Sequence, residues 1–188
     1  MLISEEPQLI FEIHCISIFE VISHIKAYKR IYPWLHTSGQ PTEEQLQGLG
    51  EEGIRTVVNL ALPTSENAVR DEAAVLAGQG ITYLNIPVDF REPRFEEFNL
   101  FRNFLSALTP NPVLVHCALN MRVSVFVYLF RVLEVSGGRV LEGAGDVSDE
   151  ISRAEEDMYR VWNPDSVWSG FIRTCLTSPR CAVRRETR

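Results

Sequence analysis

Residues 113–124 read VLVHCALNMRVS, an apolar run that ends in His-Cys and passes through a short loop to an arginine and a serine. The chain then continues as VFVYLFRVLEV, a strongly apolar helical stretch over 123–135 when its first two residues are included. Strand, loop and helix follow one another here within a few residues. A cysteine at the mouth of a strand, facing the first turn of a helix, lies among backbone N–H groups and the positive end of the helix dipole. Such a place favours thiolate over thiol. Cys117 is therefore a candidate nucleophile beside an anion site, and Arg122 adds a two-pronged donor suited to phosphate or carboxylate. Nucleophile, anion cradle and arginine together point to phosphoryl chemistry. Against this stands the general tendency of cysteine to be buried for packing alone. The joint occurrence of His116, Cys117, Arg122 and Ser124 between a strand and a helix favours the functional reading.

The surrounding chain alternates strand and helix signals in the manner of a layered α/β domain. Residues 56–60, TVVNL, form a short β-branched strand. Before it, Pro41-Thr42-Glu43-Glu44 offers a helix start with Thr42 as cap, and that helix should end near Gly48 or Gly50. Ser65 is expected to cap a helix through about Leu76, stopped by Gly78 and Gly80, with residues 81–88 as the next strand. FEEFNLFRNFLSAL, Phe95–Leu108, is another amphipathic helix, broken by Pro110-Asn111-Pro112 before the strand that leads to Cys117. The cysteine thus emerges at a strand's carboxyl end, where open α/β sheets place their ligands. Farther on, Gly137-Gly138 and Gly143-Ala144-Gly145 mark turns. Ser148 or Asp149 should cap a helix reaching about Arg160, and a short helix over 165–173 should turn Trp168 and Phe171 inward.

His-Cys, a short loop, Arg and a hydroxyl residue resemble the signature of the cysteine-dependent phosphatases, in particular the compact dual-specificity branch and its bacterial relatives. The stretch from Leu35 to Pro41, the VVNL strand and the NIPVDF segment extend the resemblance over roughly residues 28 to 174. One departure bears on catalysis. The family places five residues between cysteine and arginine, whereas only Ala118, Leu119, Asn120 and Met121 lie between Cys117 and Arg122. In one alignment the loop is a residue shorter and Arg122 is the family arginine. In the other the loop keeps its length, so that Asn120 takes a position where the family often has glycine. Val123 then replaces the arginine, and Ser124 holds the hydroxyl position. The second suits the backbone better, because asparagine tolerates a left-handed conformation. It turns the Arg122 side chain by about 100° around the helix start.

The resemblance implies a three-layer fold: a central, mostly parallel sheet of four to five strands with helices on both faces, dual-specificity-phosphatase-like. It implies a phosphate-binding loop of His116, Ala118, Leu119, Asn120, Met121, Val123 and Ser124 around Cys117. It also implies an acid on the loop after the preceding strand, where Asp89 stands; a turn-forming aspartate is the plainer reading, with Glu92, Glu96 and Glu97 as substitutes. Cys117 would attack phosphorus, Asp89 would protonate the leaving oxygen, and water would hydrolyse the thiophosphate, with Arg122 holding the equatorial oxygens. Hydrolysis of phosphotyrosine-like or small phosphorylated substrates is the leading expectation. A phosphate-binding pseudophosphatase and a thiol-based sulfur-transfer or redox protein of rhodanese type are the alternatives.

Composition narrows the remaining classes. A net charge of −7 argues against general binding of nucleic acid or acidic membranes, since phosphate backbones reward clustered positive charge. Cys15, Cys117, Cys175 and Cys181 show no paired spacing, and His14, His24, His36 and His116 form no ligand motif. Neither a metal, a cofactor nor a disulfide framework is expected, and a reducing cytoplasm fits best. Residues 1–27 read as an arm, helical in part, whose apolar positions should pack on the domain or on a second subunit as a homodimer contact. Charges interrupt this arm, so neither a signal peptide nor a membrane span is expected. Residues 28–174 form the α/β domain, and 175–188 a polar, basic tail expected to be disordered.

Overall fold

The computed structural model describes residues 20–179. Its strands are short: β1 Lys29–Arg30, β2 Leu35–Ser38, β3 Thr56–Asn59, β4 Thr82–Asn85 and β5 Val113–His116. They form one sheet in the order β1-β2-β5-β3-β4, antiparallel only between β1 and β2. β5, last in sequence, inserts between β2 and β3 and is buried along its whole length. A strand covered on both faces has no need of polar alternation, which is why VLVH reads as a continuous apolar run.

The pleat divides the core into two layers. Val57 and Leu114 face one side, where they meet Ile22, Ile25, Leu46, Leu49 and Leu76. These come from α1 Glu20–Ser23 and the turn after it, α2 Glu43–Gly48 with the turn after it, and α3 Glu72–Ala77. Val58, Val113 and Val115 face the other side and pack against α4 Phe95–Leu108, α5 Met121–Ser136, α6 Val147–Tyr159 and α7 Ser166–Thr177. The three-layer α/β architecture with a mostly parallel sheet is thus present. None of the described helices is long and apolar enough to cross a membrane.

Local chemistry sets most element ends. Thr42 accepts from Gln45 N at 3.2 Å while the Gln45 side chain accepts from Thr42 N at 2.9 Å, a capping box that starts α2. α4 has the bounds its amphipathic period predicts. α6 begins earlier than expected, because Asp146 rather than Ser148 or Asp149 is the cap, accepting from both of their N–H groups at 3.0 and 3.1 Å. α7 starts after its cap Asp165 and extends to Thr177, so that the expected tail boundary at 174 falls inside a helix whose Cys175 is fully buried.

Two elements differ more. The helix expected over 65–76 begins only at Glu72, because Asp71 adopts φ 61° and interrupts it. The strand expected over 81–88 keeps its regular ladder only over Thr82–Asn85; β3 ends at Asn59, and beyond it Ile86 N and Val88 N bond to Asn59 O and Leu60 O as an irregular edge. Of the arm over 1–27, residues 1–19 lie outside the described residues, as do 180–188 of the tail.

Candidate functional site

Cys117 follows β5 directly and is 1% exposed. Its N–H donates to Ser38 O at 3.3 Å, prolonging the β2–β5 pairing by one residue before the chain curls away. The loop is pinned from two sides. Leu119 pairs with Gly39 in an isolated bridge, Gln40 N donates to Ala118 O at 3.3 Å, and Asn67 Nδ2 donates to the same oxygen at 3.0 Å. A Cβ on Gly39 would stand 3.1 Å from Lys26 O and 3.2 Å from Ala118 O, so glycine is what lets the end of β2 approach so closely. The segment that fails to be helical before Asp71 is therefore the one that supplies Asn67 to this loop.

Asn120 closes the loop in the left-handed conformation, φ 65° and ψ 1°, at the N-cap of α5. Its Nδ2 donates to Ala27 O at 2.7 Å and to Thr37 Oγ1 at 3.2 Å, which ties the helix start to β2 and to the turn after α1. α5 then runs for 16 residues from Met121, so its free N-terminal N–H groups and dipole lie beside the cysteine loop.

Arg122, in the first turn of α5, is 8% exposed, and its Nε is buried without a hydrogen-bond partner. It makes no ion pair among the described residues. Its Cζ lies 5.5 Å from the centroid of the Phe90 ring, a cation–π contact. A buried guanidinium held only by a ring face retains most of its capacity for an anion. Ser124, by contrast, is engaged: its hydroxyl donates to Met121 O at 2.9 Å and accepts from Trp162 Nε1 at 3.2 Å. Val123 is fully buried in the core.

Asp89 is exposed, on the irregular loop after β4. Its Oδ1 accepts from Arg91 N at 2.8 Å, the Asx-turn geometry of a turn-forming aspartate. The following residue, Phe90, carries the ring that Arg122 covers, so the Asp89 loop and the start of α5 are neighbours. Among the substitute acids, Glu97 is occupied at the start of α4, accepting from Arg94 N at 2.9 Å. Burial holds its carboxyl above the usual range, and Asp89 adds to that shift.

Behind the loop lies a polar cluster that sequence reasoning missed. His116 is fully buried, and its Nε2 lies 2.8 Å from Oε1 of Glu72, itself 5% exposed. The carboxylate sits off the direction of a ring N–H, leaving an electrostatic contact rather than an aligned hydrogen bond. Glu72 also accepts from Asn59 Nδ2 at 3.0 Å and lies 3.5 Å from both Tyr83 Oη and Gln40 Nε2. Burial, reinforced by the Glu72 charge, pushes the Tyr83 phenol up to about 12. Nothing in the local pattern around Glu72 separates it from an ordinary first-turn helix acid. Among the described residues no group of three His, Cys, Asp or Glu could hold a metal ion, and Cys117 is a free thiol.

Known structures share this arrangement of strands and helices. The crystal structure of the DUF442 protein of Shewanella putrefaciens CN-32 is 27% identical, with a TM-score of 0.65, covering 82% of this chain and 93% of that one. Tk-PTP in its active form is 18% identical with a TM-score of 0.59, over 78% of this chain and 94% of that one. The core catalytic domain of the PP-IP phosphatase SIW14 of S. cerevisiae, in complex with citrate, is 14% identical with a TM-score of 0.56, over 79% and 85%. At the last two identities the likeness is one of fold. No curated protein matches the sequence. Residues 25–158 match the family described as DSP-PTPase phosphatase fused to NAD+ kinase, and since that match spans most of the chain, the protein belongs to this family of dual-specificity-type phosphatases.

Proposed function

We propose that the chain is a cysteine-dependent phosphomonoesterase, with Cys117 as nucleophile, Arg122 and the N–H groups of the loop after Cys117 as phosphate ligands, and Asp89 as the acid. The observation that carries this reading is the buried Arg122 guanidinium, without an ion pair among the described residues, in the first turn of the helix that follows the cysteine loop. In the reaction the Cys117 thiolate forms a bond to phosphorus as the bond to the ester oxygen breaks. Asp89 gives its proton to that departing oxygen. A water molecule then attacks the thiophosphate, Asp89 takes the water's proton, and phosphate leaves as the thiolate is restored. Positive charge from Arg122 stabilises the oxygens of both transition states. Phosphotyrosine-like esters or small phosphorylated molecules are the substrates that this chemistry accepts.

A second reading, a phosphate binder with little turnover, is favoured by a specific observation. The Ser124 hydroxyl, which in the family pattern would assist the leaving thiolate, is engaged with Met121 O and the Trp162 indole. The Asp89 carboxylate is likewise engaged with a backbone N–H in an exposed turn. The two readings separate in one experiment, hydrolysis of p-nitrophenyl phosphate by reduced wild-type protein and by Cys117→Ser from mildly acidic to neutral pH. Turnover in the wild type that falls to background in the variant is the expected result. Folded wild-type protein that binds tungstate without turnover supports the binder and overturns the phosphatase.

A further inference from the structure

Trp162 lies between α6 and α7, outside the cysteine loop and the acid loop, yet it reaches the first turn of α5. Its Nε1–H is shared between Met121 O at 3.1 Å and Ser124 Oγ at 3.2 Å. These two residues bracket Arg122 in sequence, so the indole grips the turn that carries the guanidinium. The Trp162 ring is also 5.5 Å from the Phe90 ring, whose face lies under Arg122. Trp168 completes the cluster: its ring is 6.1 Å from Trp162 and 5.5 Å from Phe90, and its Nε1 donates to Phe90 O at 2.9 Å.

Three rings and two indole N–H groups thus link the backbone after Asp89 to the helix start that bears Arg122. Each link is short and directional. Aromatic pairs at these separations resist tilting, and both indole donors terminate on backbone or on a side chain fixed by backbone. A long arginine stem displaced by one position from the family register needs such support, because its rotamer freedom would otherwise be lost only on binding. We propose that Trp162 is a positioning residue of the phosphate site: it holds the first turn of α5 and, through Phe90, the ring platform of Arg122, so that arginine and acid loop share one frame. The proposal rests on the reading of the 117–124 segment as a phosphate site.

The same geometry gives the site an optical reporter. An anion that draws the guanidinium off the Phe90 ring changes the surroundings of Trp162. Of the other tryptophans, Trp34 stands apart, stacked on Tyr32 and bonded to Glu142 O.

The test uses the full chain, reduced, with tungstate as the anion probe. Affinity is read by calorimetry, tryptophan fluorescence is followed on saturation, and kcat and KM are measured on p-nitrophenyl phosphate. Trp162→Phe keeps an aromatic ring and removes the donor. The expected result is tungstate affinity and kcat/KM each lower by about tenfold in folded protein, the size of effect that losing one well-placed hydrogen bond produces. The tungstate-induced fluorescence change is also expected to shrink, the remainder coming from Trp168, whose ring likewise lies 5.5 Å from that of Phe90. Phe90→Leu, which removes the platform and leaves the indole donor, is expected to weaken tungstate at least as much. A merely structural role would lower the melting temperature of both variants while leaving the affinity of the folded fraction unchanged. Unchanged or tighter tungstate binding in both variants overturns the proposal. Wild-type protein that neither binds tungstate nor turns over ester overturns the phosphate reading itself, and that control tells the two failures apart.

Discussion

Asn120 carries more of the site than its side-chain chemistry suggests. A non-glycine residue at φ 65° stores strain unless its type tolerates that region, and asparagine does so while also reaching Ala27 O and Thr37 Oγ1. Asn120→Gly keeps the left-handed backbone accessible and removes both hydrogen bonds, for an expected loss of about 1 kcal/mol. Asn120→Val removes the bonds and adds a β-branched side chain at positive φ, for an expected loss of about 2–4 kcal/mol. Urea unfolding of the two variants checks the order; a valine variant as stable as the glycine one would show that the loop does not depend on this conformation. Residues such as Asn120, Cys117 and Arg122 were legible in the sequence because their relation is local, a strand, a loop and one helical turn. Glu72, Phe90 and Trp162 were not. Each acts on the loop from a separate element, and no spacing rule joins them to Cys117 until the fold has formed.

Among the elements, the seam between α5 and α6 is held by charges rather than by apolar contact alone. Arg131 on α5, 2% exposed, donates from Nε to Glu150 Oε1 at 2.5 Å and from a terminal nitrogen to Asp157 Oδ2 at 2.8 Å. Glu150 is fully buried, accepts from the Tyr32 hydroxyl, and takes a second arginine, Arg153, at 2.9 Å. Removing Glu150 leaves the buried Arg131 with only the partly exposed Asp157 as counter-charge, so Glu150→Ala is expected to cost about 3 kcal/mol, the lower end for breaking a buried pair. Replacing both members with apolar residues, Arg131→Met with Glu150→Leu, should recover at least about half of that loss, since the charge and its partner leave together. Chemical denaturation of the single and double variants decides this; a double variant as unstable as the single would mean that packing, not charge, dominates the seam. The seam also marks what periodicity could and could not supply. α4 and α2 match their expected bounds because amphipathic spacing and a capping box are both local signals. α3 and β4 fall short because Asp71 turns left-handed and because β4 is a sheet edge, features set by what the chain must reach.

The whole molecule brings one titrating group into the sheet without a counter-charge. His36 on β2 is 9% exposed, its Nδ1 is hydrogen-bonded to the Tyr28 hydroxyl at 2.8 Å, and the two rings stack. Burial, then the nearby Arg30 charge, lowers its pKa from the ordinary 6.5 to about 4. Above 6.5 the imidazole is neutral in both folded and unfolded chains and leaves stability unaffected by pH. Between 6.5 and about 4 the unfolded chain binds a proton that the folded chain refuses, so stability falls as pH falls across that window and levels out below it. Asp157 acts in the same direction at lower pH. Burial raises its carboxyl, but hydrogen bonds from Lys29 and Arg131 outweigh this and hold it below the ordinary 3.8, so its contribution is present above that value and is lost as pH drops through its folded pKa. Urea midpoints measured at steps from neutral pH down to about 3 should therefore show a decline beginning near 6.5. His36→Gln, whose amide can pair with the same Tyr28 hydroxyl as donor or acceptor, should flatten the decline between 6.5 and 4 while leaving the lower fall in place. A variant with the wild-type slope across that window would remove His36 from the account. The outcome also bears on the catalytic assay, because cysteine phosphatase chemistry is read in the same mildly acidic range, and loss of folded protein there must be separated from protonation at the site. The His36→Gln variant makes that separation, since it moves the stability limb while leaving the Cys117 loop and its arginine untouched.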